Sequence, residues 1–186
     1  MGGPSSSAKR DGDSLFFALL PPAQAQDRIQ AVVDALARRG LQLRRPVPRS
    51  LWHLTLLFVG RVGRLPDDVV DRALALGAAV RMQALSVTLD RLLSFDARPG
   101  AHPLVLATEG GDGPLRQLHQ ALVQQGQRLG LACASAGFTP HLTLGREAVK
   151  LPPESVEPIE WQARGFVLMR SLVGLRRHVV LGRWES

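Results

Sequence analysis

The sequence predicts a single domain of mixed strands and helices, built as two pseudo-symmetric lobes that share one functional site. Three observations predict it. The tetrapeptide His-Leu-Thr-Leu occurs twice, at His53–Leu56 and at His141–Leu144, 88 positions apart. Each copy closes a similar unit of apolar strand, helix, glycine stop and motif strand, with Phe16 lying 37 residues before His53 and Leu104 lying 37 before His141. The length, 186 residues, suffices for one domain with a substantial core. Two copies of a unit are too few for a solenoid and suit a pair of lobes.

The elements follow in order. Met1 to Asp13 is Gly, Ser and charge and reads as a disordered tail before a domain over 14–186. Leu15 to Leu20 is a short apolar run ended by Pro21-Pro22, as suits a buried strand. Ile29, Val32, Val33 and Leu36 recur at helical spacing, and Gly40 stands where that helix should stop. Leu41 to Arg45 is expected to be a strand broken by Pro46 and Pro48, and the first motif strand is expected from about Leu51 to Val59. After Gly60 and Gly63, Pro66 suits a first helical position, Asp67 and Asp68 favour its positive end, and Val69, Ala73, Leu76 and Val80 form one stripe. Ala84 to Phe95 alternates in part and reads as strand.

The second unit repeats this plan. Pro103 to Thr108 is the apolar strand. Gly113-Pro114 opens a helix carrying Leu115, Leu118, Leu122 and Leu129, and Gly130 closes it. The second motif strand runs from about Phe138 to Arg146. Leu151 to Ile159, with Pro152, Pro153 and Pro158, is expected to be a loop; Trp161–Leu172 and Arg177–Trp184 are expected to form a hairpin turning at Gly174.

Composition narrows the class. Hydrophobic residues make up 45%, yet no run of about 18 apolar residues could span a membrane. The N-terminus lacks an apolar leader core. A cytoplasmic monomer is the expectation. One cysteine, Cys133, excludes an internal disulfide and a cysteine-based zinc cluster; it reads as a buried small side chain. The net charge is +7, and lysine occurs only at Lys9 and Lys150, so the cations are nearly all arginine. Such a balance favours an anionic partner, nucleic acid first. Arg44, Arg45, Arg49, Arg61 and Arg64 flank the first motif and are open to two readings, an RNA-backbone contact or solvated surface charge.

In a strand, side chains alternate faces, so His53 and Thr55 share one face and His141 and Thr143 share one face, with the leucines opposite. If the two strands meet, two imidazoles of ordinary pKa near ~6.5 can hold one proton between them. One then takes a proton from water while the other delivers one to a leaving oxygen, and the threonine hydroxyls steady the non-bridging phosphate oxygens. That chemistry needs no metal or other cofactor. A zinc site is the rival use, but no Asp or Glu shares the motif faces. Arg146 lies five residues past His141, on the wrong face by strict alternation unless Gly145 permits a bulge. Phe58 holds the equivalent place in the first half, as a stacking surface for a base or as core, which periodicity favours. His102, His119 and His178 do not repeat and read as structural or exposed.

Over roughly Ser14 to Trp184 the chain resembles the 2H phosphoesterases, and within them the bacterial RNA 2′,3′-cyclic phosphodiesterases, also called 2′-5′ RNA ligases. The carriers are LFFALLPP, VPRSLWHLTLLFVG, GFTPHLTLGR and LMRS. The resemblance implies a bilobal α+β fold, with two mostly antiparallel sheets facing a central cleft and helices outside. It implies metal-independent opening of RNA 2′,3′-cyclic phosphate ends to 2′-phosphate, with His141 as general base, His53 as general acid, Thr55 and Thr143 beside them and Arg146 on phosphate. It also implies a reversible, ATP-independent 2′-5′ joining. Two alternatives stay open: 2′-5′ linkages as the main substrate, and an RNA-end-binding module without turnover. The chain departs from the family in having Arg49-Ser50-Leu51 before the first motif and no tyrosine, which offers His178 for a place that a tyrosine holds elsewhere.

Overall fold

A computed structural model describes residues 13–61, 68–98, 101–110, 112–133, 137–147, 150–172 and 175–186. Residues 1–12 of the tail expected over 1–13, the Gly63–Asp67 helix entry with Arg64, and the Gly174 turn lie outside these residues. The described elements are β1 (Ser14–Leu19), α1 (Ala23–Arg38), a 3-10 turn (Arg49–Leu51), β2 (Leu54–Arg61), α2 (Val69–Ala79), β3 (Leu85–Ser94), β4 (His102–Ala107), α3 (Gly113–Arg128), β5 (His141–Glu147), β6 (Glu154–Ala163), β7 (Gly165–Leu172) and β8 (Arg177–Glu185). The class is α+β.

All eight strands form one antiparallel sheet in the order β6-β3-β4-β5-β2-β1-β7-β8, rather than the two sheets expected. The two motif strands lie at its centre, where β2 and β5 are joined through the single pair Leu54↔Leu142. On either side of that pair the neighbours of each strand come from its own half, β1 for β2 and β4 for β5. The duplication is therefore real in the fold, but the halves share a seam of main-chain pairing.

One face of the sheet carries the helices. Leu15, Phe17, Leu19, Leu54, Leu56, Leu142 and Leu144 join one core with Ile29 and Leu36 of α1, Val69, Ala73 and Leu76 of α2, and Leu115, Leu118 and Leu122 of α3. Phe16 and Ala18 point the other way and meet Val167 and Met169 in a small second cluster. The repeated helices end alike. Gly40 (φ 84°) and Gly130 (φ 71°) take the left-handed conformation, and the next residue bonds back five positions, Leu41 N–H to Leu36 O at 3.0 Å and Leu131 N–H to Gly126 O at 2.9 Å.

Three expectations need correcting. Leu41–Arg45 forms no strand; instead the Arg45 carbonyl accepts from Arg146 N–H (3.3 Å) and Val47 N–H donates to Leu144 O (2.8 Å), edging β5 where β2 departs. Residues 154–159, expected as loop, belong to β6, an edge strand, where Pro158 is tolerated because no outer neighbour needs its missing N–H. The expected strand Trp161–Leu172 is two strands broken at Arg164. The repeat is also one residue out of step in its first strand: Phe17 pairs with Leu57 and Leu104 with Gly145, so Leu104 matches Phe17, not Phe16.

Candidate active site

The seam pair sets the site. Leu54 and Leu142 face the helix-side core and are fully buried. Alternation then puts His53, Thr55, His141 and Thr143 together on the opposite, helix-free face. Antiparallel pairing about Leu54↔Leu142 places Thr55 on the side of His141 and His53 on the side of Thr143. All four are half-buried. The result is a two-by-two array in which each histidine has the other half's threonine as neighbour.

The two imidazoles are held alike. His53 Nδ1 donates to the Leu51 carbonyl at 2.7 Å, and His141 Nδ1 to the Thr139 carbonyl at 2.7 Å, each two residues back. A carbonyl can only accept, so each Nδ1 carries the proton of the neutral ring and each Nε2 keeps its lone pair. Each ring also rests on an aromatic: His53 on Phe16 (centroids 4.9 Å) and His141 on Phe95 (4.8 Å). Burial pushes the His53 pKa down to about 4, against the Leu51 bond that raises it; charge on His178 and on His141 lowers it further. Burial also lowers His141, opposed by the Thr139 bond. The two histidines thus feel one another across the seam. Burial favours the neutral form of both rings.

Bulges decide the flanking residues. In β2 the register steps from Phe17↔Leu57 to Ala18↔Thr55, leaving Leu56 extra, and Phe58 pairs with Phe16 on the histidine face. Phe58 is 52% exposed, so the reading of it as core is wrong. In β5 the step from Leu104↔Gly145 to Val105↔Thr143 leaves Leu144 extra, and Arg146 emerges exposed, its Nη1 donating to Ala101 O at 3.1 Å. The bulge that Gly145 was expected to permit is present, and it occurs at the same place in both halves.

Some arginines of the flanking cluster are committed elsewhere. Arg49 pairs with Asp27 (2.6 Å) and Gln26 (2.8 Å) at the start of α1. Arg44 and Arg45 are exposed, on the segment that edges β5, and Arg176 donates to the Pro46 carbonyl at 3.0 Å. The backbone of Arg44 and Arg45 lies against Arg146 and Glu147 of β5, so this segment brings Arg44, Arg45 and Arg176 to the Arg146 end of that strand.

His178, read as structural, stands in the site. Its ring meets His53 edge-on at 5.0 Å and Phe16 at 5.5 Å, and its Nδ1 is buried with no partner. Phe16, Phe95 and Phe138 were missed as site residues because the contacts that bring them there cross strands far apart in sequence. The absence of tyrosine was the one signal that pointed to His178. His102 faces elsewhere, with Nδ1 3.4 Å from Phe95 O, and His119 is buried under the sheet. Among the described residues no group of His, Cys, Asp and Glu is clustered to hold a metal.

Comparison with known proteins shows the family. Residues 21–174 match the 2′-5′ RNA ligase superfamily. The chain belongs to that family. An RNA 2′,3′-cyclic phosphodiesterase of Thermus thermophilus is 30% identical over 168 residues, 84% of this chain and 81% of that protein. One of Escherichia coli K12 is 29% identical over 177 residues, 91% and 94%. The crystal structure of Escherichia coli LigT in apo form superposes with TM-score 0.71 at 28% identity, covering 94% of this chain and 98% of that one. The same protein complexed with 3′-AMP gives 0.69 at 26%, with the same coverage. In this family member no helix among the described residues is long and apolar enough to cross a membrane.

Proposed function

We propose that the chain opens the 2′,3′-cyclic phosphate at an RNA end, leaving a 2′-phosphate and a free 3′-hydroxyl. The observation that carries this is the matched pair of imidazoles, each with Nδ1 spent on a carbonyl and Nε2 turned outward, either side of one strand seam. Water attacks phosphorus while His141 Nε2 takes its proton; the P–O3′ bond breaks while His53 Nε2–H protonates the departing 3′-oxygen. His53 must enter that step protonated. An anionic phosphate beside it favours the imidazolium and offsets the burial that depresses its pKa. Thr55 and Thr143 donate to the non-bridging oxygens, where charge grows.

The relatives' names support an RNA substrate, and so does the arrangement at the groove ends. Arg44, Arg45, Arg146 and Arg176 supply charge for backbone phosphates, and Phe58 presents an exposed ring on which a base can stack. Joining follows the same course with a 5′-hydroxyl in place of water: its oxygen bonds to phosphorus, the P–O3′ bond breaks, His141 takes the hydroxyl proton and His53 protonates O3′, leaving a 2′-5′ bond whose cleavage is the reverse step. The mechanism as drawn uses no metal.

Product analysis on a short RNA ending in a 2′,3′-cyclic phosphate, with chelator present, tests the reading. A 2′-phosphate product, lost in His53→Ala and His141→Ala by at least about 100-fold, is expected. Undiminished turnover in either variant, or a strict metal requirement, would overturn it.

A further inference from the structure

Beside Thr55 and His141 lies a cavity of about 580 Å³, walled by Phe58, Phe95, Phe138 and Thr139. It occupies the wedge between β2 and the segment entering β5, where the strands part beyond Leu54↔Leu142. Its aromatic walls and its position next to the histidines suit the nucleoside that carries the cyclic phosphate.

One side chain behind the wall ties its parts together. His119 projects from α3 and is 7% exposed. Its Nδ1 donates to the carbonyl of Leu56 at 2.7 Å, and its ring stacks on Phe138 with centroids 4.1 Å apart and planes within 6°. Leu56 is the extra residue of the β2 bulge, the irregularity that turns Phe58 to the site face. A bulge interrupts the ladder, so its carbonyl needs a donor from elsewhere. The matching carbonyl in β5, that of Leu144, accepts from Val47 N–H at 2.8 Å; the position matching Val47, residue 135, lies outside the described residues.

The imidazole is an expensive choice for this place. Its Nε2 is buried and has no hydrogen-bond partner. Leucine would fill the space without that cost, but would supply neither a donor for the bulge nor a flat face for Phe138. Aligning the two helices by their glycine stops, Gly40 and Gly130, puts Ile29 of α1 in the place of His119, so the device belongs to one half alone, the half with the aromatic pocket.

We propose that His119 is a positioning residue for substrate specificity: it pins the β2 bulge and the Phe138 ring, and so sets the shape of the nucleoside pocket. The inference rests on the reading of the site as one for a nucleoside cyclic phosphate.

The test is steady-state hydrolysis of a 2′,3′-cyclic mononucleotide by the full chain, with inorganic phosphate as competing inhibitor. His119→Phe keeps a flat ring and loses the donor; KM should rise about tenfold, the worth of one buried hydrogen bond, with kcat within about threefold. His119→Asn restores a donor near the Nδ1 position and should bring KM most of the way back. Phe138→Leu, at the half-buried pocket wall, should raise KM without touching the bulge. Inhibition by inorganic phosphate, which reaches only the histidines and threonines, should be unchanged in all three. Wild-type KM in both His119→Phe and Phe138→Leu would overturn the proposal. So would losses of kcat and phosphate affinity in parallel with KM, the mark of a merely structural role. If His119→Phe fails to fold, the Asn and Phe138→Leu variants carry the same test. Failure of the wild type to hydrolyse the nucleotide would refute the catalytic reading instead; calorimetric binding of a nucleoside 2′-monophosphate against inorganic phosphate would then still decide the role of His119.

Discussion

Protonating His53 costs the fold stability, and the amount can be worked from its surroundings. In the unfolded chain the imidazole has its ordinary pKa of 6.5; in the folded protein burial lowers it to about 4. Above about pH 7.5 both states are neutral and the residue contributes no pH dependence. As pH falls through 6.5 the unfolded chain binds a proton that the folded chain refuses, so stability is lost until the folded form also protonates near pH 4. The linkage relation gives a loss of about 1 kcal/mol at pH 5.5 and about 2–3 kcal/mol at pH 4.5. Both are upper bounds, because the ring borders an open groove whose water screens the charge. Urea denaturation of wild type and His53→Asn between pH 7.5 and 4.5 isolates the contribution. Wild type should lose stability relative to the variant over that range, and saturating inorganic phosphate should shrink the loss by favouring the charged ring. A difference between the two proteins that stays flat with pH would refute the buried, neutral His53.

Three other expectations follow from the same geometry. Thr55→Val and Thr143→Val should each lower kcat by about 10²–10³-fold with little change in KM if their hydroxyls meet charge that develops only in the transition state; a pure KM effect would deny that role. A Cβ at Gly145 would come within 3.0 Å of the Arg45 carbonyl and 3.2 Å of Leu43. Gly145→Ala should therefore push the 43–46 segment off β5, costing about 1–3 kcal/mol by thermal melting, and should weaken RNA more than mononucleotide. Arg44→Ala with Arg45→Ala should flatten the dependence of RNA affinity on salt by about one unit of slope for each phosphate that the arginines neutralise, with mononucleotide KM unchanged.

Much of this was legible in the chain. Both catalytic candidates and both threonines announce themselves by repetition, and strand alternation assigns their faces without a structure, since one residue's step flips the side chain. The helix stops at Gly40 and Gly130 are equally local, set by a left-handed turn that glycine adopts freely. Two residues offered for the site could not be settled by alternation alone. Phe58 and Arg146 reach the groove only through bulges, and a bulge is fixed by the partner strand and by donors such as His119 and Val47, which no local pattern reveals. Pro158 looked like a loop residue because its tolerance depends on β6 being an edge strand, a property of the whole sheet.

The sequence by itself determined that two equivalent strands each present a histidine and a threonine opposite a leucine face, because that follows from backbone periodicity alone. Only the tertiary structure decided that these strands meet at one pair, Leu54↔Leu142, in a single sheet. It also decided that burial depresses the pKa of both imidazoles, and that His178 and the phenylalanines surround them. Burial and cross-strand register arise from residues distant in the chain, and those distances close only when the core packs.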